Sequence, residues 1–169
     1  AHANPDIDNS SVQFDLKVQS DADKTVTVAY DFKSVLWDDE KGENIETGST
    51  FSGTQQITLK AGENEVSLDP IAITDQKLWN FDSPNLYEGT VRLLDGDTEL
   101  DNVATYFGQR KVSTEKYDGR NYEYIYVNNE PVFLSGLLDQ GFWEEGIYTA
   151  PSEEALKYDI KAMRDRGLT

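Results

Sequence analysis

Acidic side chains are the residues of this sequence that could most readily do chemistry. Asp and Glu account for 32 of the 169 residues. A calcium loop of the EF-hand type needs oxygen ligands at alternate positions and a bidentate Glu at the twelfth. The acidic groups that lie close together in sequence are Asp21 with Asp23, Asp38-Asp39-Glu40, and Asp95 with Asp97. None has that spacing, so solvated turns between strands are the favoured interpretation, and we expect neither a metal site nor a cofactor.

The residue types of the sequence do not indicate a catalytic triad. The chain has no cysteine, and its single histidine, His2, lies next to the first residue, where we expect it to carry no chemistry. A glycine-rich phosphate loop is also missing from the sequence. The formal net charge of −17 argues against nucleic acid and membrane partners, because phosphate-binding surfaces need clustered Lys and Arg.

Tryptophan is the other residue type with a possible binding role, because an aromatic face suits the apolar face of a sugar ring. For Trp37 and Trp79 we favour packing, since scattered aromatic residues in a β-sandwich usually fill its core or edges. Trp143 differs because it follows Asp139 and Gln140 closely in sequence, and carboxylate and amide groups can bind sugar hydroxyls. A purely structural role stays open for Trp143 too.

Alternation of apolar and polar residues predicts the elements that must position these side chains. Short strands separated by turn residues favour an antiparallel sandwich of two sheets. The pattern alone leaves open whether that sandwich is of the immunoglobulin type or a jelly roll. The alternating apolar residues are Val12, Phe14, Leu16 and Val18; Val26, Val28, Tyr30 and Phe32; Ile57 and Leu59; Val66 and Leu68; Tyr87, Val91 and Leu93; and a final strand ends near Phe107.

A different pattern begins after Lys111. Alternating tyrosines at 122, 124 and 126, the turn Asn128–Pro131 and the apolar run at 132–134 predict a hairpin. A helix follows, with Ser152 as its N-cap and Gly167 at its end, and its apolar residues Leu156, Ile160 and Met163 form one narrow stripe. We interpret this change as one architecture ending and a β/α architecture beginning.

Several motifs resemble glycoside hydrolase family 2, the family of β-galactosidases, β-glucuronidases and β-mannosidases. They cover Leu78–Tyr87, Phe107–Arg110, Val127–Gly136, Leu138–Trp143, Ile147–Ser152 and Asp159–Thr169. The departures from the family pattern are Phe81 in place of Pro, Gln109 in place of Phe, Ser135 in place of Arg or Lys, and Thr169 in place of Asn.

The resemblance implies a mainly β fold in two parts. Residues 4–112 are expected to form an immunoglobulin-like antiparallel sandwich, and residues 113–169 the truncated start of a catalytic (β/α)₈ barrel: a hairpin, a first strand, a loop and a first helix. Such a barrel needs about 250 residues. The family's two catalytic glutamates lie on later barrel strands, so neither Glu65 nor Glu130, each of which follows an Asn, is carried over as catalytic.

A non-catalytic piece of a retaining glycosidase is the function that this resemblance implies. Its partners would be the rest of its own polypeptide, a jelly roll before it and a barrel after it, together with the parent enzyme's glycoside substrate. Asp139, Gln140 and Trp143 would contact that substrate in the loop after the first barrel strand. The exposed barrel start could also drive self-association. The alternative is an autonomous carbohydrate-binding or adhesion module, and the compartment stays open.

Overall fold

The computed structural model describes residues 1–38 and 40–168. They divide into two compact units, residues 1–130 and the residues that follow. The strands are β1 (His2–Asp6), β2 (Ser11–Ser20), β3 (Lys24–Asp38), β4 (Glu43–Leu59), β5 (Gly62–Ser67), β6 (Ile71–Ala72), β7 (Leu86–Asp95), β8 (Thr98–Phe107), β9 (Val112–Lys116), β10 (Glu123–Val127) and β11 (Glu130–Pro131), and the helix is α1 (Glu153–Arg164).

Two antiparallel sheets make up the sandwich of the first unit. Sheet I has the order β1-β2-β5, with β6 also paired to β2, and sheet II has the order β4-β3-β7-β8. The chain crosses between the sheets after β2, after β4 and after β6, which gives the connectivity of an immunoglobulin-type sandwich. The predicted mainly β fold and its immunoglobulin type are therefore confirmed.

Aromatic rings fill the space between the sheets, as the alternation predicts. Phe14 of sheet I stacks on Phe32 of sheet II with ring centroids 5.1 Å apart, and Phe32 stacks on Phe51 at 5.2 Å. Tyr87 and Phe107 stack at 5.1 Å at one end of this cluster. All five rings are buried, so the two sheets of the sandwich share an aromatic core.

A buried hydroxyl network fixes the register of β3 against β4. The pairing shifts after Lys33, so that three residues of β4 lie opposite Ser34 alone. The Ser34 hydroxyl accepts a hydrogen bond from the Ser49 backbone N–H at 3.0 Å, and the Tyr87 hydroxyl donates to Ser49 Oγ at 3.0 Å. Tyr87 also accepts from the Lys77 N–H at 2.8 Å, as in the tyrosine corner of immunoglobulin-like folds.

Strands β9, β10 and β11 form a separate antiparallel sheet. Strands β10 and β11 meet at a turn of Asn128 and Asn129, so a hairpin is present, but Glu130 and Pro131, predicted as part of the turn, form its second strand. The apolar run at 132–134 is not in a strand in the described residues. The compact units divide at residue 130, whereas the sequence pattern divides at 112, and the predicted domain boundary stays a prediction.

Helix α1 is the helical element of the second unit, and its caps agree with the sequence. The Ala155 N–H donates to Ser152 Oγ at 3.2 Å, and Gly167 beyond the helix has a φ of 76°. None of its residues is buried. Within the described residues, no helix has the length and hydropathy needed to cross a bilayer.

Candidate functional site

The three residues predicted to contact substrate lie in one exposed loop of the second unit. Asp139 and Gln140 are exposed, and Asp139 Oδ1 accepts a hydrogen bond from the Gly141 N–H at 2.7 Å. Trp143 is half-buried, and its backbone exchanges hydrogen bonds with that of Ile147 at 2.8 and 3.0 Å. These two hydrogen bonds close a tight turn that follows Asp139 and Gln140 in sequence. The role in substrate binding stays a prediction.

Asp21, Asp23 and Asp38 of the clustered acidic residues each accept hydrogen bonds. Hydrogen bonds lower the pKa of Asp21, Asp23 and Asp38, with Lys24 the largest cause for Asp21 and backbone N–H groups for the other two. Asp39 lies outside the described residues. Within the described residues, no group of three His, Cys, Asp or Glu side chains could hold a metal ion. The contacts are Asp21 with Lys24 at 3.2 Å, Asp23 with Lys60 at 2.9 Å, and Asp38 with the Glu40 and Lys41 N–H groups at 2.9 and 3.1 Å.

The strongest candidate for a functional arrangement is the attachment of the β10–β11 turn to the end of the sandwich. Asn128 and Asn129 both have positive φ, 52° and 66°, as a type I′ turn requires. The Asn128 amide donates to the Trp79 carbonyl at 2.7 Å, and its Oδ1 accepts from the Lys111 N–H at 3.1 Å. The Asn128 N–H donates to the Lys111 carbonyl at 2.9 Å. We call Asn128 and Asn129, with the residues that hold them, the hairpin junction.

A second set of contacts joins the same turn to the loop after β1. Asp8 bridges the two parts: Lys111 Nζ donates to Asp8 Oδ2 at 2.6 Å, and Asn129 Nδ2 donates to Asp8 Oδ1 at 2.8 Å. These two hydrogen bonds hold the pKa of Asp8 below its usual value, and Asp8 in turn raises the pKa of Lys111. The turn is thus held from two sides.

Gln109 anchors the same loop from inside. Its side chain is fully buried, and Nε2 lies within hydrogen-bond distance of the Asp6 and Ser11 carbonyls at 3.2 and 3.1 Å and of Gln76 Oε1 at 3.0 Å. The Gln109 carbonyl accepts from the Trp79 N–H at 3.1 Å. A Phe here, which is usual in the family pattern, could not make these side-chain hydrogen bonds, because it has no polar atom.

Trp79 packs at the outer side of this arrangement. The Arg110 guanidinium lies 4.4 Å from the centre of the Trp79 ring, and Phe81 packs edge-on against it at 5.5 Å. The predicted packing role of Trp79 agrees with these contacts. Trp37 by contrast has about half of its surface exposed on β3.

Sequence reasoning identified the motifs of the hairpin junction but not their contacts. Trp79, Gln109 and Asn128 all lie in motifs that resemble the family, whereas Asp8 and Lys111 lie in no recognisable pattern. The two Asn residues at a hairpin turn were the available signal, because Asn tolerates positive φ better than other non-glycine residues. Chemically, the arrangement holds one segment of the unit against another through side-chain hydrogen bonds.

A family model and two curated relatives point to the same family of glycosyl hydrolases. The family model for glycosyl hydrolases family 2 matches residues 1–110. A putative β-glucuronidase from Formosa agariphila is 29% identical over 116 residues, which are 68% of this chain and 10% of that protein. The β-galactosidase large subunit from Leuconostoc lactis is 29% identical over 105 residues, 62% of this chain and 16% of that protein.

A solved structure confirms the fold. A family 2 member from Bacteroides cellulosilyticus superposes with a TM-score of 0.65 at 19% identity, over 94% of this chain and 19% of that chain. The present chain thus spans about a tenth to a sixth of the length of these curated relatives. Since the family model covers well over half of its residues, the chain belongs to glycosyl hydrolase family 2.

Proposed function

We propose that this chain is a non-catalytic, structural part of a retaining β-glycosidase of the β-galactosidase and β-glucuronidase type. In this proposal the sandwich holds the β10–β11 turn, and the residues after it are the entry to a catalytic barrel. The names of the relatives support the substrate class, because a putative β-glucuronidase and a β-galactosidase subunit are both among them.

One observation carries the proposal: the second unit leaves its large apolar side chains exposed. Phe133 is 75% exposed and Leu138 85%. Helix α1 has its apolar residues on one stripe, yet Leu156 and Ile160 are both exposed. A helix of 12 residues is marginal in water without a packed apolar face, so this unit needs a covering surface. We assign that covering to the barrel of the same polypeptide.

The two candidate glutamates support placing catalysis elsewhere. A retaining glycosidase needs two carboxylates about 5 Å apart, one as acid and base and one as nucleophile. Glu65 lies on β5 and forms an exposed ion pair with Lys17 at 3.0 Å. Glu130 is exposed in β11 at the hairpin. Both positions fit solvated surface residues, so we propose that hydrolysis needs residues beyond this chain.

Within the complete enzyme, Asp139, Gln140 and Trp143 are proposed to contact the sugar. Their support is their common exposed loop and the tight turn that Trp143 closes with Ile147. Trp143 would stack on the ring, and the polar pair would bind hydroxyl groups. In the complete polypeptide, Trp143→Ala should raise KM, whereas Trp37→Ala on β3 serves as the matched control and should leave KM unchanged.

The decisive experiment is a hydrolysis assay with chromogenic β-galactoside, β-glucuronide and β-mannoside. It compares this chain with the longest polypeptide that its gene encodes. Activity in the longer protein alone supports the proposal and identifies the glycoside. Hydrolysis by this chain without the rest of the polypeptide would contradict the proposal that catalysis needs residues beyond it. Inactivity of both, together with specific binding on a glycan array, would favour an autonomous carbohydrate-binding module.

A further inference from the structure

Strand β4 lies at the edge of sheet II, and its outer side is open. Sheet II has the order β4-β3-β7-β8, so β3 is the only strand beside β4 among the described residues. The two strands pair in continuous register from Lys24 with Leu59 to Lys33 with Thr50. The other side of β4 over residues 50–59 is a free strand edge about 34 Å long, which is a template for pairing with a further strand. We call these residues the open edge.

The backbone groups that face outward along the open edge belong to the even-numbered residues. The Ser49 N–H donates to Ser34 Oγ of β3 at 3.0 Å, so the odd-numbered residues direct their backbone groups towards β3. Just beyond the strand, the N–H and C=O of Lys60 bond instead to the Asn64 side chain, at 2.9 and 2.8 Å. Asn64 thus closes the edge at Lys60. The outward-facing residues before it are Thr50, Ser52, Thr54, Gln56 and Thr58.

The open edge lacks the features by which proteins usually prevent strand edges from pairing. Natural edges are protected by charged side chains, by proline or by bulges. Residues 47–59 include no charged residue and no proline, although Asp, Glu, Lys and Arg make up 28% of the chain. The shift in pairing at Ser34 lies before Thr50, so it leaves the open edge regular. This part of sheet II is therefore suited to strand pairing.

We propose that two copies of this chain associate through their open edges, which pair antiparallel about a two-fold axis at Thr54. Thr54 is the middle one of the outward-facing residues, so the axis places it opposite the partner's Thr54. In this register Thr50 lies opposite the partner's Thr58, and Ser52 opposite the partner's Gln56. Each facing pair exchanges two backbone hydrogen bonds. Sheet II then continues from one copy into the other.

Self-complementarity of the open edge favours a second copy as its partner. The outer face pairs Thr with Thr and Ser with Gln, and hydroxyl side chains opposite each other stabilise antiparallel strands. On the inner face Phe51 lies opposite the partner's Ile57, a favourable aromatic and β-branched pair. Two copies that each carry a formal charge of −17 repel each other, and the uncharged open edge is where they can approach. This inference goes beyond the proposed function and does not depend on it.

Cysteine cross-linking tests this pairing, because the chain has no cysteine of its own. Thr54→Cys places two thiols at a facing pair with Cα atoms about 5.5 Å apart, which a disulfide can bridge. Thr50→Cys is the matched control on the same face of β4, because its two copies would lie about 27 Å apart. Ala104→Cys is the control on β8, the opposite edge of sheet II.

Under oxidising conditions, we expect Thr54→Cys to form a covalent dimer about tenfold or more faster than either control, because pairing holds its two thiols together. Equal rates of dimer formation in Thr54→Cys, Thr50→Cys and Ala104→Cys would overturn the proposal.

Sedimentation equilibrium measures the association without a cross-link. The average mass should rise from 19.1 kDa towards twice that value as the protein concentration increases, and more so at high ionic strength, where the repulsion is screened. Thr54→Lys places two ammonium groups opposite each other on the axis and should abolish the rise, whereas Ala104→Lys should retain it. Thr54 is exposed, so circular dichroism should show that Thr54→Lys is folded.

Two results would overturn the proposal. One is a mass that stays at 19.1 kDa at every concentration and ionic strength. The other is association that persists in Thr54→Lys but is lost in Ile160→Lys, because it would locate the interface on the exposed apolar residues of α1.

Discussion

Replacing Asn128 by Ala tests the hairpin junction most directly. The substitution removes two side-chain hydrogen bonds, to the Trp79 carbonyl at 2.7 Å and from the Lys111 N–H at 3.1 Å. It also places a residue with an ordinary Cβ at a φ of 52°, which Asn tolerates better than Ala. Both effects destabilise the turn, and they can be separated by experiment.

The expected loss of unfolding free energy is the sum of these two contributions. Each hydrogen bond contributes about 0.5–1.5 kcal/mol, so Asn128→Ala loses about 2 kcal/mol from the pair. The left-handed conformation costs Ala about 1 kcal/mol more. Asn128→Gly loses the same hydrogen bonds without the conformational cost. We therefore expect unfolding free energies lower by about 3 kcal/mol for the Ala variant and about 2 kcal/mol for the Gly variant.

Urea denaturation followed by circular dichroism measures the global effect, and exchange of the Lys111 amide measures the local effect. If only the hairpin opens, Lys111 should exchange faster in both variants while the sandwich midpoint stays constant. If the junction unfolds together with the sandwich, equal unfolding free energies of the Ala and Gly variants would show that the positive φ carries no cost. Unchanged Lys111 exchange in both would refute the role assigned to Asn128.

Three further predictions concern the first unit. Tyr87→Phe should lower the unfolding free energy by about 1–3 kcal/mol in urea denaturation, because it removes the acceptor of the Lys77 N–H and the hydroxyl that donates to Ser49 Oγ. Because the pKa of Asp8 is lowered in the folded state by Lys111, its stabilising contribution is present above about pH 4 and is lost as the pH falls through the lowered value. The difference in urea midpoint between wild type and Asp8→Asn should shrink over that range. Gly89→Ala should cost more than about 3 kcal/mol or prevent folding, as measured by thermal unfolding, because its Cβ would meet the β3 backbone.

Matched variants control these experiments. Tyr106→Phe removes a hydroxyl from a side chain that is 69% exposed and should change stability by less than about 0.5 kcal/mol. Asp97→Asn removes a carboxylate from an exposed turn and is the matched control for Asp8→Asn. Gly96→Ala adds a Cβ in open space, and its cost should be limited to that of a positive φ. A Tyr87→Phe variant as stable as Tyr106→Phe would contradict the buried hydroxyl network.

The sandwich could be predicted because its strands alternate clearly. Phe14, Phe32 and Tyr87 lie in alternating runs, and all three are buried. Strand β1 was missed because Asn4 and Pro5 interrupt any alternation, and its pairing with β2 depends on a tertiary contact. The caps of α1 were predicted correctly because Ser152 and Gly167 act through local geometry.

The hairpin junction could be predicted only in part. Asn128 and Asn129 mark a turn in any sequence, but nothing local shows that Asp8 bonds to one of them. A single carboxylate in an acidic chain carries no pattern, and the contact exists only because the fold brings both ends of the unit together. The buried Gln109 departs from the family pattern, but the sequence does not indicate which carbonyl groups it contacts.

The bridge through Asp8 has a consequence for the order of folding. The hydrogen bond between Asp8 and Asn129 joins residues 121 positions apart. At about 5–20 residues per second of synthesis, roughly 6–24 seconds pass between the synthesis of Asp8 and that of Asn129. Strands β1 to β8 can pair in that interval, whereas the junction cannot close. The hydrogen bonds of the hairpin junction are therefore among the last to form, after strands β1 to β8 have been able to pair.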